Sequence, residues 1–174
     1  MKDALLIIDM QKVYLPNKQW ACKNIVNTIN NIEKKIKGFD KRHIFFSKFI
    51  ASKNPIGTWK DYNKEYSNIN SNDYLNDYVD ELKKYINSNN SYIKNTYSSL
   101  KNNGLYKKLN EYDRIYVTGV VAECCVLSTI FELIDIGKKV IYCKSCISGI
   151  DSIKEQSVLN ILEELSPIHV EFEY

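Results

Sequence analysis

The sequence contains few of the residues that build metal centres and disulfide frameworks. It has only two histidines, His43 and His169, far apart in the chain. Two isolated histidines argue against a histidine-based metal site. The five cysteines are odd in number and irregularly spaced, which indicates reduced thiols rather than a set of disulfides.

Long apolar runs and strong charge are also missing. No apolar run approaches the length of a membrane span, and the N-terminal stretch is too short for a signal peptide and meets a charge at Asp9. The net charge is only +3 and the lysines are scattered, so the sequence predicts no basic patch that would bind nucleic acid. We therefore expect one cytoplasmic globular domain over residues 1–174, without a membrane or nucleic-acid partner.

Apolar runs and helical periodicity alternate along the chain. Runs that predict strands are Ala4–Ile8, His43–Ile50, Ser91–Lys94, Ile115–Val117, Lys139–Cys143 and Ile168–Phe172. Helical spacing predicts helices over Cys22–Phe39, Tyr74–Ile86 and Cys125–Gly137, a short one around Leu105 and Leu109, and one from a cap at Ser152 to about Leu165. The loop Ala51–Asn63 has no strong period. This order predicts an α/β fold with a mainly parallel sheet and helices on both faces.

Three of the predicted strands end in, or are followed by, a residue with a charged or nucleophilic side chain. Asp9 follows the first strand, Lys94 closes the third, and Cys125 follows the fourth. Taken singly, each has an ordinary alternative, because an aspartate often sits in a turn and a lysine is usually solvated. The carboxyl ends of parallel strands nevertheless meet at one edge, where open α/β sheets bind their ligands.

The adjacent cysteines, Cys124 and Cys125, lie where a buried strand turns into a helix. Unpaired N–H groups at a helix start favour negative charge, so a thiol there is expected to ionise more readily. The same N–H groups can stabilise the oxyanion of an acyl transfer. The alternative is that both cysteines are small residues packed in the core.

Three segments resemble the isochorismatase-like cysteine hydrolase superfamily, which includes nicotinamidases and related amidases. They are LLIIDMQKVYL near the N-terminus, YIKNTYSSL in the middle, and VTGVVAECCVLSTIFELIDIGKKV further on. They correspond to the family's segments with the catalytic aspartate, lysine and cysteine. The resemblance implies a three-layer α/β/α fold with a six-stranded parallel sheet.

The resemblance also implies roles for individual residues. Asp9 is the general base, Lys94 the cation between acid and thiol, and Cys125 the nucleophile. A cis peptide precedes Val121, and the N–H groups of Val121 and Cys125 form the oxyanion hole. Candidate substrate-binding residues are Gln11, Tyr14, Trp59, Tyr97 and Ala122. Trp59 could equally well cover an edge of the core.

Departures from the family pattern narrow the chemistry. Nicotinamidases carry a histidine metal motif after the second strand, whereas SKFIASKNPIGTW has none. We therefore predict no metal and no cofactor, and nicotinamide becomes a weaker candidate substrate. Isochorismatases proper lack the nucleophilic cysteine, so Cys125 argues against vinyl-ether hydrolysis.

The leading hypothesis is a metal-independent cysteine hydrolase that cleaves a C–N bond in a small amide, carbamoyl or ureido compound. One alternative is a non-catalytic homologue that binds a small ligand or partner; another is a thiol redox protein. For Cys143 and Cys146 we expect buried thiols, and for Glu123 a helix-capping role. By analogy with the family, we expect a homo-oligomer, a dimer or larger.

Overall fold

A parallel sheet of six strands forms the centre of the computed structural model, which describes residues 1–174. The strands are β1 (Asp3–Ile8), β2 (Ile44–Phe49), β3 (Ser91–Lys94), β4 (Arg114–Gly119), β5 (Lys139–Ile147) and β6 (Val170–Glu173). Their order across the sheet is β3-β2-β1-β4-β5-β6. The first three strands thus follow one another from β1 to the edge at β3, and the last three follow one another from β4, beside β1, to the opposite edge at β6. The crevice between β1 and β4 is the topological switch point, where such sheets bind ligands.

Eight helices connect the strands. They are α1 (Ile25–Ile36), α2 (Trp59–Glu65), α3 (Ser67–Asn70), α4 (Asp73–Asn76), α5 (Asp80–Lys83), α6 (Asn103–Leu109), α7 (Leu127–Asp135) and α8 (Ser152–Glu163). Three short 3₁₀ turns cover Lys12–Tyr14, Lys41–His43 and Ser99–Lys101. None of these helices is both long and apolar enough to cross a membrane.

Both faces of the sheet are covered, which explains the unbroken apolar run of β1. Leu5 and Ile7 pack in one core cluster with the buried stripe of α1, while Leu6 and Ile8 pack in the other with α7 and α8. A strand buried on both sides needs apolar residues at every position rather than at alternate ones. The predicted fold class, a parallel α/β sheet between helices, is confirmed.

The single helix predicted over Tyr74–Ile86 is wrong. The chain forms two one-turn helices, α4 and α5, because the backbone between them pairs with the loop after β1. The N–H of Lys12 donates to the carbonyl of Asp77 at 2.9 Å, and that of Val79 donates to Met10 at 3.0 Å. These tertiary hydrogen bonds replace the helical ones.

Other boundaries also shift. The first helix is shorter than predicted, and the loop predicted over residues 51–63 contains the start of α2. The cap of α8 is Asp151 rather than Ser152, since the Asp151 carboxylate accepts a hydrogen bond from the N–H of Lys154 at 2.9 Å. Before α7, residues 122–126 form one turn of π-helix, which the helical spacing did not predict; it is called the wide turn from here on.

Candidate active site

Three buried side chains meet beside the switch point. Lys94 Nζ forms an ion pair with Asp9 Oδ2 at 2.7 Å and donates a hydrogen bond to Cys125 Sγ at 3.2 Å. The side chains of Asp9 and Lys94 are completely buried, and Cys125 is 5% exposed. The structure therefore brings together the three residues predicted to be catalytic.

Asp9 is held in a fixed orientation from β2. Its backbone adopts φ of 52°, an uncommon value for a residue with a side chain. Its N–H donates to the carbonyl of Ser47 at 3.0 Å, and its Oδ1 accepts a hydrogen bond from Ser47 Oγ at 3.2 Å. Apart from the contact with Lys94, Oδ2 has no hydrogen-bond partner. That oxygen is free to accept a proton.

Lys94 is an ammonium held by three neighbouring groups. Besides the ion pair with Asp9 and the hydrogen bond to Cys125, its Nζ donates to the carbonyl of Thr96 at 3.0 Å. Burial alone would lower the pKa of Lys94, but the negative charge of Asp9 and the thiol of Cys125 outweigh it and raise that pKa. Lys94 therefore stays charged.

The thiol of Cys125 is neutral at rest. Burial raises its pKa above the ordinary value, and the charge of Asp9 adds to this, while Lys94 acts in the opposite direction. The expectation that a helix start would make this thiol ionise readily is therefore wrong for the resting protein. Losing the hydration of a thiolate outweighs the nearby donors and the cation.

The backbone around Cys125 is shaped by the end of β4. Gly119 has φ of +108°, and a Cβ there would overlap the carbonyl of Ile8 in β1. The peptide bond between Val120 and Val121 is cis, at the position that the resemblance implies. In the wide turn that follows, the N–H of Val126 donates five residues back to Val121 at 3.2 Å. Such turns occur often at functional sites.

Hydrogen bonds from neighbouring elements fix this turn. Thr129 Oγ1 donates to the carbonyl of Cys125 at 2.6 Å and accepts from the N–H of Ser99 at 3.0 Å. The N–H of Ala122 donates to the carbonyl of Ser148 at 3.0 Å. The N–H of Val121 makes no hydrogen bond, so it is available to a ligand.

A cavity of about 190 Å³ opens onto Cys125. Its ten lining residues are aromatic, aliphatic or cysteine: Tyr14, Trp20, Phe49, Tyr62, Tyr66, Tyr97, Val121, Cys124, Cys125 and Ile150. Of the predicted site residues, Tyr14, Tyr97, Val121 and Cys125 line it. A larger open groove of about 1140 Å³ lies nearby against β3, but Cys125 does not line it.

Three predicted substrate-binding residues lie elsewhere. The side chain of Gln11 accepts from the N–H of Phe49 and donates to the carbonyls of Phe49 and Asn76, each at 2.9 Å. Those bonds hold the loop after β1, which indicates a positioning role. Trp59 packs edge-to-face against Tyr97, with 5.0 Å between ring centroids, and lines the open groove. Ala122 is fully buried in the core.

Several cavity residues were not predicted from the sequence. Trp20, Tyr62 and Tyr66 line the cavity, with Trp20 centred 5.3 Å from Tyr66 and 6.3 Å from Tyr62. They come from segments without a strong period, and the only signal was their aromatic character. Glu123 does not cap the helix; its Oε1 accepts from the N–H of Ile150 at 3.3 Å.

The remaining cysteines and histidines have ordinary surroundings. Cys143 and Cys146 are buried free thiols, as predicted. The Nδ1 of His43 is hydrogen-bonded to the Tyr112 hydroxyl at 2.8 Å. Nowhere do three or more His, Cys, Asp or Glu side chains converge as metal ligands would.

Comparison with known proteins identifies the family. The family model described as "Isochorismatase domain" matches residues 3–167. The chain belongs to the isochorismatase family. This membership confirms the resemblance found in the sequence and the expectation of a hydrolase. No curated protein sequence matches the chain.

Solved structures of this fold are similar over nearly the whole chain. A cysteine hydrolase from Pseudomonas syringae pv. phaseolicola has a TM-score of 0.81 at 18% identity, with 98% of this chain and 87% of that one covered. A pyrazinamidase of Pyrococcus horikoshii, solved in complex with zinc, has a TM-score of 0.76 at 18% identity, covering 99% of both. For an N-carbamoylsarcosine amidase from Thermoplasma acidophilum the values are 0.72 and 17%, with 99% and 96% covered.

The Pyrococcus horikoshii protein was solved with zinc, and whether zinc fits this chain depends on the donors that the chain offers. The segment after β2 offers only Ser52, Lys53 and Asn54 before Pro55. Lysine is protonated and the other two are weak ligands for zinc. The residues at this position in the isochorismatase-family protein thus do not fit a zinc site.

Proposed function

We propose that this protein is a metal-independent cysteine amidohydrolase that cleaves the C–N bond of a small amide, carbamoyl or ureido compound. One observation carries the proposal. Lys94 Nζ lies between Asp9 Oδ2, at 2.7 Å, and Cys125 Sγ, at 3.2 Å, and Cys125 lines a cavity. A binding protein has no need of a buried acid, cation and thiol in contact.

The first half-reaction forms a thioester. Cys125 Sγ attacks the carbonyl carbon, and its proton moves to Asp9 Oδ2, the carboxylate oxygen without another hydrogen bond. Lys94 stabilises the negative charge that develops on sulfur. The tetrahedral intermediate collapses, the C–N bond breaks, and Asp9 returns the proton to the leaving nitrogen.

The second half-reaction releases the acid. A water molecule attacks the thioester carbon and gives a proton to Asp9. The C–S bond breaks, and the proton passes to the sulfur, which restores the neutral thiol. Throughout both halves Lys94 stays protonated, in agreement with its raised pKa.

An oxyanion forms twice during this cycle. Val121, whose N–H makes no hydrogen bond, lines the same cavity as Cys125. We assign that N–H as one donor of the oxyanion hole, with the N–H of Cys125 as the second. Removing one such donor typically reduces kcat by about 100- to 1000-fold.

The test is ammonia release from a panel of small amides, carbamoyl and ureido compounds. Cys125→Ala should reduce turnover by about 10⁴-fold or more. Cys146→Ala is the matched control, because it removes another buried thiol that lies outside the cavity. Rapid quenching followed by mass spectrometry should find the acyl group on the parent Cys125.

Two results would contradict the proposal. Turnover that survives in Cys125→Ala would rule out the nucleophile. A panel that gives no ammonia and no acyl adduct, with folded protein, would favour the binding homologue instead.

A further inference from the structure

The cavity at Cys125 contains no charged side chain. Tyrosines and a cysteine are its only titratable groups besides the nucleophile. Burial raises the pKa of Tyr14, Tyr62, Tyr97 and Cys124 above their ordinary values. All four are therefore neutral at physiological pH, and the walls present rings, methyl groups and uncharged hydroxyls.

The cation beside the cavity is already neutralised by the protein. Lys94 forms an ion pair with Asp9 at 2.7 Å and donates hydrogen bonds to Cys125 and to the carbonyl of Thr96. Its side chain is fully buried. A carboxylate entering the cavity would therefore find no uncompensated positive charge.

The size of the cavity restricts the ligand further. About 190 Å³ lies below the roughly 300–1,000 Å³ of sites that hold drug-sized ligands. Aromatic rings form one wall, with Trp20 centred 5.9 Å from Tyr14 and 5.3 Å from Tyr66. Such a wall favours a compact apolar group.

We propose that the substrate is a small, uncharged amide with an apolar acyl group, and that the site rejects amides whose acyl group carries a charge. The inference rests on the proposed function, since it names the substrate class of the same site. Its physical basis is desolvation, because a charge taken into the cavity loses its hydration and gains no partner.

Two pairs of amides with matched shapes test this selection. In 4-methylpentanamide and succinamate, an isopropyl group replaces a carboxylate. In 3,3-dimethylbutanamide and trimethylammonioacetamide, a tert-butyl group replaces a quaternary ammonium. Ammonia release should give kcat/KM on the order of 100-fold or more higher for each neutral member, with Cys125→Ala as background.

A charged member hydrolysed as fast as its neutral partner would overturn the proposal. Preference for the trimethylammonio compound would show that the rings act as a cation site instead. Preference for succinamate would show that a cation reaches the cavity after all.

Alkylation gives a second measurement that does not require turnover. Iodoacetamide and iodoacetate differ in one charge, and the same sulfur displaces iodide from both. After normalisation to a free thiol, iodoacetamide should modify Cys125 at least about tenfold faster, and Cys125→Ala corrects for modification of Cys124.

The two measurements separate the two proposals. Strong preference for iodoacetamide without hydrolysis of any amide, carbamoyl or ureido compound would overturn the proposed function and leave the charge selectivity standing. Equal alkylation by both reagents would overturn the charge selectivity, whatever the amides show.

Discussion

Removing one partner of the buried ion pair between Asp9 and Lys94 should destabilise the protein strongly, whereas removing both charges together should change its stability little. Both side chains are fully buried, with 2.7 Å between Oδ2 and Nζ. Lys94→Met leaves a carboxylate without its cation in the interior. That carboxylate can become neutral by binding a proton. For an ordinary aspartate, with a pKa of about 3.9, protonation at pH 7 costs roughly 4 kcal/mol.

Removing one partner should therefore lower the free energy of unfolding by about 3–4 kcal/mol, in line with other buried pairs. Asp9→Asn leaves the ammonium unpaired and should cost a similar amount, because its deprotonation at pH 7 is also unfavourable. The double variant Asp9→Asn/Lys94→Met contains neither charge. It should lie within about 2 kcal/mol of the parent, although all three variants should be inactive.

Urea titration at several pH values measures this double-mutant cycle. In Lys94→Met the folded state holds its carboxyl proton more tightly than the unfolded state, so stability is present at low pH and lost as pH rises. Lowering the pH from 7 to 5 should thus stabilise this variant by up to about 2.7 kcal/mol, and Asp9→Asn should show no such gain. Single variants that lose less than about 1 kcal/mol, or additive effects in the double variant, would refute the reasoning.

Two further predictions concern the backbone and the thiol. Gly119→Ala should lower the free energy of unfolding by more than about 3 kcal/mol in urea titration, because the new Cβ overlaps the Ile8 carbonyl. Gly57 also has a positive φ but faces open space, so the control Gly57→Ala should lower it by only about 1 kcal/mol. Equal losses in the two variants would contradict the close approach of β4 to β1. The raised pKa of Cys125 means that the folded state keeps the thiol proton longer than the unfolded state, so stability should fall above the ordinary cysteine pKa of about 8.5. Between pH 8.5 and 10, Cys125→Ala should lose about 1–2 kcal/mol less than the parent, and parallel pH profiles would show that the thiol is not perturbed.

The features that sequence could predict are those encoded by local composition. The run Ala4–Ile8 is apolar at every position because it is buried on both faces, and this pattern is visible without a structure. Asp9, Lys94 and Cys125 each follow directly from a strand end or strand–helix turn. Since parallel strands bring their carboxyl ends to one edge, their meeting could be anticipated.

The features that sequence could not predict depend on tertiary contacts. The break at Asp77–Val79 arises from pairing with residues 10–12, which no local pattern encodes. Trp20 and Tyr62 reach one cavity from two separate segments. The pKa of Cys125 depends on its burial, and a local argument from the helix start gave the wrong direction.

The order of the strands explains why the cation in this site is a lysine. Asp9 follows β1 and Cys125 follows β4, and these strands are neighbours; β3 lies at the edge, with β2 between it and β1. Two strand spacings are about 9.5 Å, so a residue on β3 needs a long side chain to reach Asp9. At the carboxyl end of β2, Phe49 pairs with Lys94, whose Nζ lies 5.5 Å from the centre of the Phe49 ring. Ser47 pairs with Ile8, and its hydroxyl holds Asp9. A histidine at position 94 would be too short to reach both Asp9 and Cys125 from this edge, and the site therefore depends on where β3 lies as much as on the residue it carries.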